Sequence, residues 1–143
     1  MKKKKSPRER IRRLVKSWAV PVGCGLLFLC LFNFVFFIGY VPTASMEPVI
    51  RENSFIIGTR VYPELQIGDV VVFSQEGILM VKRIAGIPGD EIIIDDEVYV
   101  VPHGCYFMLG DNPDQSADSR HWEDPFIRND QVIARVLILK PHP

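Results

Sequence analysis

From residue 17 to residue 44 the sequence contains no charged residue, and 18–40 within it are dominated by Leu, Phe, Val, Gly and Cys. About 20 such residues cross a ~30 Å hydrocarbon layer as a helix. Trp18 and Tyr40 bracket the run as interfacial aromatics do. Net charge is zero, yet residues 1–16 carry nine Lys/Arg and one acid, leaving eight and sixteen for the rest of the chain. Alone, the basic head reads as a nucleic-acid-binding arm, an amphipathic helix or a cytoplasmic flank; the apolar neighbour selects the flank. Positive charge on that side puts the N-terminus in the cytoplasm and the residues after Tyr40 outside. The run exceeds the 7–15 residues typical of a cleaved secretory signal, so an uncleaved signal-anchor is expected, although Thr43-Ala44-Ser45 weakly matches a cleavage site. Asn33 is expected to serve a helix contact or nothing. The expected organisation is a cytoplasmic basic segment (1–17), a transmembrane helix (18–40) and an extracytoplasmic β-rich domain (41–143).

After Tyr40 the pattern becomes short β-type runs between Gly, Pro and acidic turns, at 54–61, 68–73, 78–84, 91–94, 98–101, 105–109 and 132–139. That spacing predicts a small, mainly β domain of antiparallel strands. Val70-Val71-Val72-Phe73 and Val136-Leu137-Ile138-Leu139 are continuous apolar runs, compatible with strands buried on both faces or resting on lipid. Residues 112–129, rich in Asp, Pro and Ser, read as a long loop, and loops of that length are usually functional or disordered. Three cysteines make no disulfide framework, because Cys24 and Cys30 sit in the apolar run. Cys105 is expected to be buried packing. No spacing resembles a zinc site.

Ser45 follows Tyr40 by five residues, which keeps it within about 18 Å of the end of the apolar run. Pro42 and Pro48 flank it and are expected to hold the segment extended and rigid. A serine nucleophile needs a base. The histidines His103, His121 and His142 offer no clear choice: His142 is near the end of the sequence and His121 lies in the acidic loop. Lys82 is better placed. In Ile78-Leu79-Met80-Val81-Lys82-Arg83-Ile84, alternation sends Met80, Lys82 and Ile84 to one apolar face and Arg83 to the other. Desolvation there lowers a lysine pKa, as a general base requires. Pattern alone leaves open a lysine that snorkels to the strand edge or to lipid headgroups.

Thr43-Ala44-Ser45-Met46-Glu47-Pro48, Gly68-Asp69-Val70-Val71-Val72-Phe73, Val81-Lys82-Arg83-Ile84-Ala85-Gly86-Ile87-Pro88-Gly89-Asp90, and Gly110-Asp111-Asn112 through Ser116-Ala117-Asp118-Ser119-Arg120 stand in this order. They resemble the successive boxes of the bacterial type I signal peptidases and cover essentially the whole region after the anchor. The resemblance implies a membrane-bound serine endopeptidase that removes signal peptides from exported pre-proteins after small-x-small sites, using a Ser/Lys dyad and no cofactor or metal. It implies Ser45 as nucleophile and Lys82 as general base. Thr43 and the Ser45 backbone N–H would form the oxyanion hole. Ser116 would orient the lysine amine, while Asp111, Asp118 and Arg120 would brace the site, the last two as an ion pair. Val41, Met46, Ile50, Met80 and Val81 fall where the family builds its shallow pockets. Partners would be pre-proteins and the lipid bilayer, not nucleic acid; the oligomeric state stays open.

The sequence departs from the family pattern at Val49, where Thr is usual, and at His121-Trp122-Glu123-Asp124-Pro125, where an aromatic-Trp-Gly sequence is usual. Lysine rather than histidine at 82 argues against the endoplasmic-reticulum branch. The short spacings between boxes leave no room for the extra domain of larger members. Two other readings compete: a Ser/Lys peptidase of the self-cleaving repressor type, and a membrane-tethered β-domain that binds a partner with Ser45 and Lys82 structural.

Overall fold

The computed structural model describes residues 7–94 and 96–137. The chain divides between Val35 and Phe36. The first unit holds helix α1, Pro7–Val35. Its part Val15–Val35 is long and apolar enough to cross a membrane, with its side chains exposed. Asn33 donates its amide to the Leu29 carbonyl at 2.9 Å, satisfying a polar group within its own helix.

The helix stops five residues short of the expected span. Phe36–Val41 forms strand β1 instead. An apolar run does not by itself distinguish helix from buried strand. Aromatic and β-branched side chains favour the pleated surface, and β1 pairs along its whole length with the next strand.

The second unit is antiparallel throughout, as the turn spacing implies. After β1 come β2 (Ser54–Thr59), β3 (Val70–Gln75), β4 (Ile78–Gly86), β5 (Glu91–Ile94), β6 (Glu97–Val100), β7 (Cys105–Leu109), β8 (Phe126–Arg128) and β9 (Val132–Val136). Seven of them form one sheet in the order β1-β2-β9-β3-β4-β7-β8, and β5 and β6 make a separate ribbon. Strand β8 is an addition to the elements expected from sequence: the 112–129 loop ends in three residues that pair with β7. Strand β9 ends at Val136, and Ile138 and Leu139 lie outside the described residues.

The apolar run 70–73 makes β3 the middle of the sheet, every side chain of it buried. Val71 and Phe73 join Leu65, Ile84, Met108 and Ile127 on one face. Val70 and Val72 join Val41, Met46, Ile56 and Val136 on the other. A strand buried on both faces leaves no room for alternation with polar residues, which explains the unbroken run. β3 returns to β4 through Glu76-Gly77, a two-residue turn with φ of +51° and +81°; positive φ at both positions matches the twist of the flanking strands. Lys82 thereby falls opposite Val71 and Met80 opposite Phe73. β4 pairs with β7 at Arg83, Ile84 and Gly86, with a register shift between the last two. Residues 78–82 pair with β3 alone, so that half of β4 has an open edge.

Candidate active site

Ser45 does not sit in an extended segment. Thr43 is extended, but Ala44–Met46 form a single 3₁₀ turn closed by the Glu47 N–H on the Ala44 carbonyl at 3.1 Å. The flanking prolines therefore bracket a turn. Met46, fully buried in the second core cluster, pins it to the sheet. The Ser45 side chain is buried, and Thr43 Oγ1 stands 3.4 Å from its Oγ.

The loop after β7 closes over this turn. The Asn112 N–H donates to the Ser45 carbonyl at 3.0 Å, and its side-chain Nδ2 donates to the Ala44 carbonyl at 3.1 Å. Gly110 is where the loop passes closest: a Cβ there would lie 2.6 Å from the Ser45 carbonyl oxygen and against the Ser116 side chain. Only glycine admits that approach.

On the neighbouring strand Lys82 is 4% exposed, the condition that alternation predicted. Its Nζ donates to Ser116 Oγ at 3.0 Å, and Ser116 Oγ donates to Asp118 Oδ2 at 2.7 Å. Burial lowers the Lys82 pKa; Asp118 and Asp111 oppose that shift, while Arg120 adds to it. Asp118 is fully buried. Burial alone would raise its pKa, but donors from Arg120, the Gly110 N–H and Ser116 outweigh that and hold it far below the carboxylate range. Arg120 grips it with Nε and Nη2, each at 2.9 Å. The ion pair implied for Asp118 and Arg120 is thus present.

Asp111 braces at one remove. It accepts Arg83 Nε at 2.7 Å and Nη2 at 2.6 Å, while Arg83 Nη1 donates to the Gly68 carbonyl at 2.6 Å. This fork ties β4 to both the loop and the turn before β3, and the hydrogen bond it donates to Asp111 raises the Arg83 pKa. Arg83 and Lys82, adjacent in sequence, thus work on opposite sides of the strand.

The five pocket candidates separate. Val41, Met46 and Ile50 are buried in the second cluster with Val81 packed against it. Met80 packs against the first cluster, on the Lys82 side. His103 is exposed and His142 lies outside the described residues. The His121 ring stands 3.6 Å from Asp118. Cys105 is half-buried rather than enclosed, and burial pushes its thiol pKa up. Among the described residues no three His, Cys, Asp or Glu side chains group as metal ligands do.

Sequence reasoning missed Asn112 and Gly110 as parts of the site, though both lie in the last of the four boxes. Their work is done on backbone carbonyls of a segment about 65 residues away, a contact with no local pattern.

A model of the family described as "Signal peptidase, peptidase S26" matches residues 11–101 and 98–139. Similar proteins include a probable signal peptidase I-2 of Synechocystis sp., 29% identical over 172 residues, covering 96% of this chain and 77% of that protein. Signal peptidase I S of Bacillus subtilis is 28% identical over 148 residues, 77% of this chain and 80% of the relative. Against signal peptidase I of Pseudomonas aeruginosa the identity is 27% over 160 residues, and the match spans 63% of this chain and 56% of that protein.

Proposed function

Because this chain belongs to the signal peptidase family, peptidase S26, we propose that it is a membrane-anchored serine endopeptidase that cleaves N-terminal signal peptides from exported pre-proteins after small-x-small sites. The observation that carries this reading is the state of Lys82: buried, lowered in pKa, and aimed by Ser116 rather than paired with a carboxylate. An amine so held is neutral more readily than an exposed lysine.

In this reading neutral Lys82 takes the proton of Ser45 Oγ as the oxygen attacks the scissile carbonyl. The Ser45 N–H and the Thr43 hydroxyl donate to the developing oxyanion. Lys82 then gives its proton to the departing amine, leaving the signal peptide as an ester on Ser45. Water, deprotonated by Lys82, hydrolyses that ester and restores both groups. The extended substrate adds to the open edge of β4 at residues 78–82, where unpaired backbone groups accept another strand. Its small residues before the cut face the cluster of Val41, Met46, Ile50 and Val81.

The nine basic residues before the apolar run favour a cytoplasmic N-terminus, a single span by α1 and a catalytic β unit on the outer face. Holding enzyme and inserted signal peptide in one membrane raises their effective concentration. The test is cleavage of a synthetic pre-protein bearing an Ala-x-Ala site by the detergent-solubilised chain. Cleavage after the second Ala that both Ser45→Ala and Lys82→Ala abolish supports the reading; full activity in either variant refutes the dyad.

A further inference from the structure

The open half of β4 sorts a bound segment by face. Side chains of an extended peptide alternate with a period of two, so one seated along residues 78–82 sends every second side chain toward Val81 and those between toward Met80. If the two small residues before the cut face Val81 and its cluster, the residue separating them faces Met80.

That side holds a cleft of about 550 Å³. Ile78 and Met80 of β4 form its apolar floor, and Trp122, set edge-on against Phe73, forms a wall. Glu76, Glu123 and Asp124 also line it, and among the described residues no lysine or arginine does. Gln75 lines it as well, its Oε1 buried and without a hydrogen-bond partner among the described residues. Asp124 accepts the Phe126 N–H on one of its two oxygens. Apart from His121, its chemistry is apolar below and proton-accepting around the rim. An aliphatic stem ending in a cation suits both: the stem lies on Ile78, Met80 and the Trp122 ring, and the head meets carboxylates. An acidic side chain meets repulsion. The rim includes residues 121–124, where the sequence leaves the pattern usual in its family.

We propose that this cleft is a specificity subsite that receives a lysine or arginine side chain from the substrate position between the two small residues. The proposal rests on reading Ser45 and Lys82 as the peptidase site.

The test uses the full detergent-solubilised chain and synthetic pre-proteins with Ala-x-Ala sites in which x is Lys, Arg, Gln or Glu. The expected kcat/KM for Lys over Glu is about tenfold, carried mainly by KM and shrinking as salt is raised. In a Glu76→Gln, Glu123→Gln, Asp124→Asn variant the ratio falls to near one. Glu123→Lys shifts preference toward the Glu substrate, a gain that misfolding cannot mimic. A wild-type ratio within twofold, or one that persists in the neutralised variant, overturns the subsite alone. A wild type that cuts none of the four, Gln included, overturns the peptidase reading and this proposal with it.

Discussion

Between the Lys82 amine and the Asp118 carboxylate stands one hydroxyl, that of Ser116, which accepts from the first at 3.0 Å and donates to the second at 2.7 Å. A direct ion pair would hold the lysine in its charged form. The intervening hydroxyl keeps the orientation while moving the negative charge away, and Arg120 neutralises that charge from the far side.

Cleavage is expected to rise with pH. In the proposed mechanism the base is the neutral amine, and burial lowers its pKa below the ordinary 10.5, so the competent fraction grows with pH across the range beneath that value. Rates measured between pH 6 and 10 check this; a flat profile contradicts it.

Ser116→Ala is expected to lower kcat about 10- to 100-fold with KM little changed, because the amine loses its aim while the substrate's contacts persist. Single-turnover kinetics separate the two effects. A change confined to KM contradicts the assignment.

Asp118→Asn is expected to cost about 2 kcal/mol of stability at neutral pH, since it weakens charge-assisted bonds in a buried network. The pKa of Asp118 is depressed on folding, so its contribution is present above the unfolded value near 3.9 and fades as pH falls through the folded value. Urea unfolding of both proteins at pH 7 and pH 3 tests the sign: the gap narrows at pH 3.

Asn112→Ala removes the side-chain hydrogen bond to the Ala44 carbonyl, while the backbone one to the Ser45 carbonyl remains. A loss of about 1 kcal/mol predicts a roughly fivefold fall in kcat with an unaltered pH profile. Asn112→Asp, which sets a carboxylate against a carbonyl, is expected to do worse.

Gly110→Ala brings a methyl into the Ser45 carbonyl and the Ser116 side chain. The loop must withdraw from the turn, and activity is expected to fall at least 100-fold while the melting temperature drops. Near-normal cleavage by this variant contradicts the close approach.

Much of this architecture was legible beforehand. The apolar run marked a potential span, the turn spacing marked an antiparallel sheet, and alternation put Lys82 on a buried face. The end of the helix was not legible, because residues 36–41 are apolar in either conformation and pairing with β2 decides between them. β8 was hidden by its length of three residues in an acidic stretch. The separation of Met80 from Val81 was legible too: neighbours on a strand point to opposite faces, and the two pack against different clusters.

Burial of Lys82 reaches beyond the reaction. An amine whose pKa falls on folding binds its proton more tightly in the unfolded chain, so protonation favours unfolding. That destabilisation is complete below the folded pKa and disappears above the unfolded one. The contribution of Lys82 to stability therefore climbs as the medium becomes more alkaline, in the same direction as the turnover expected of it as a base.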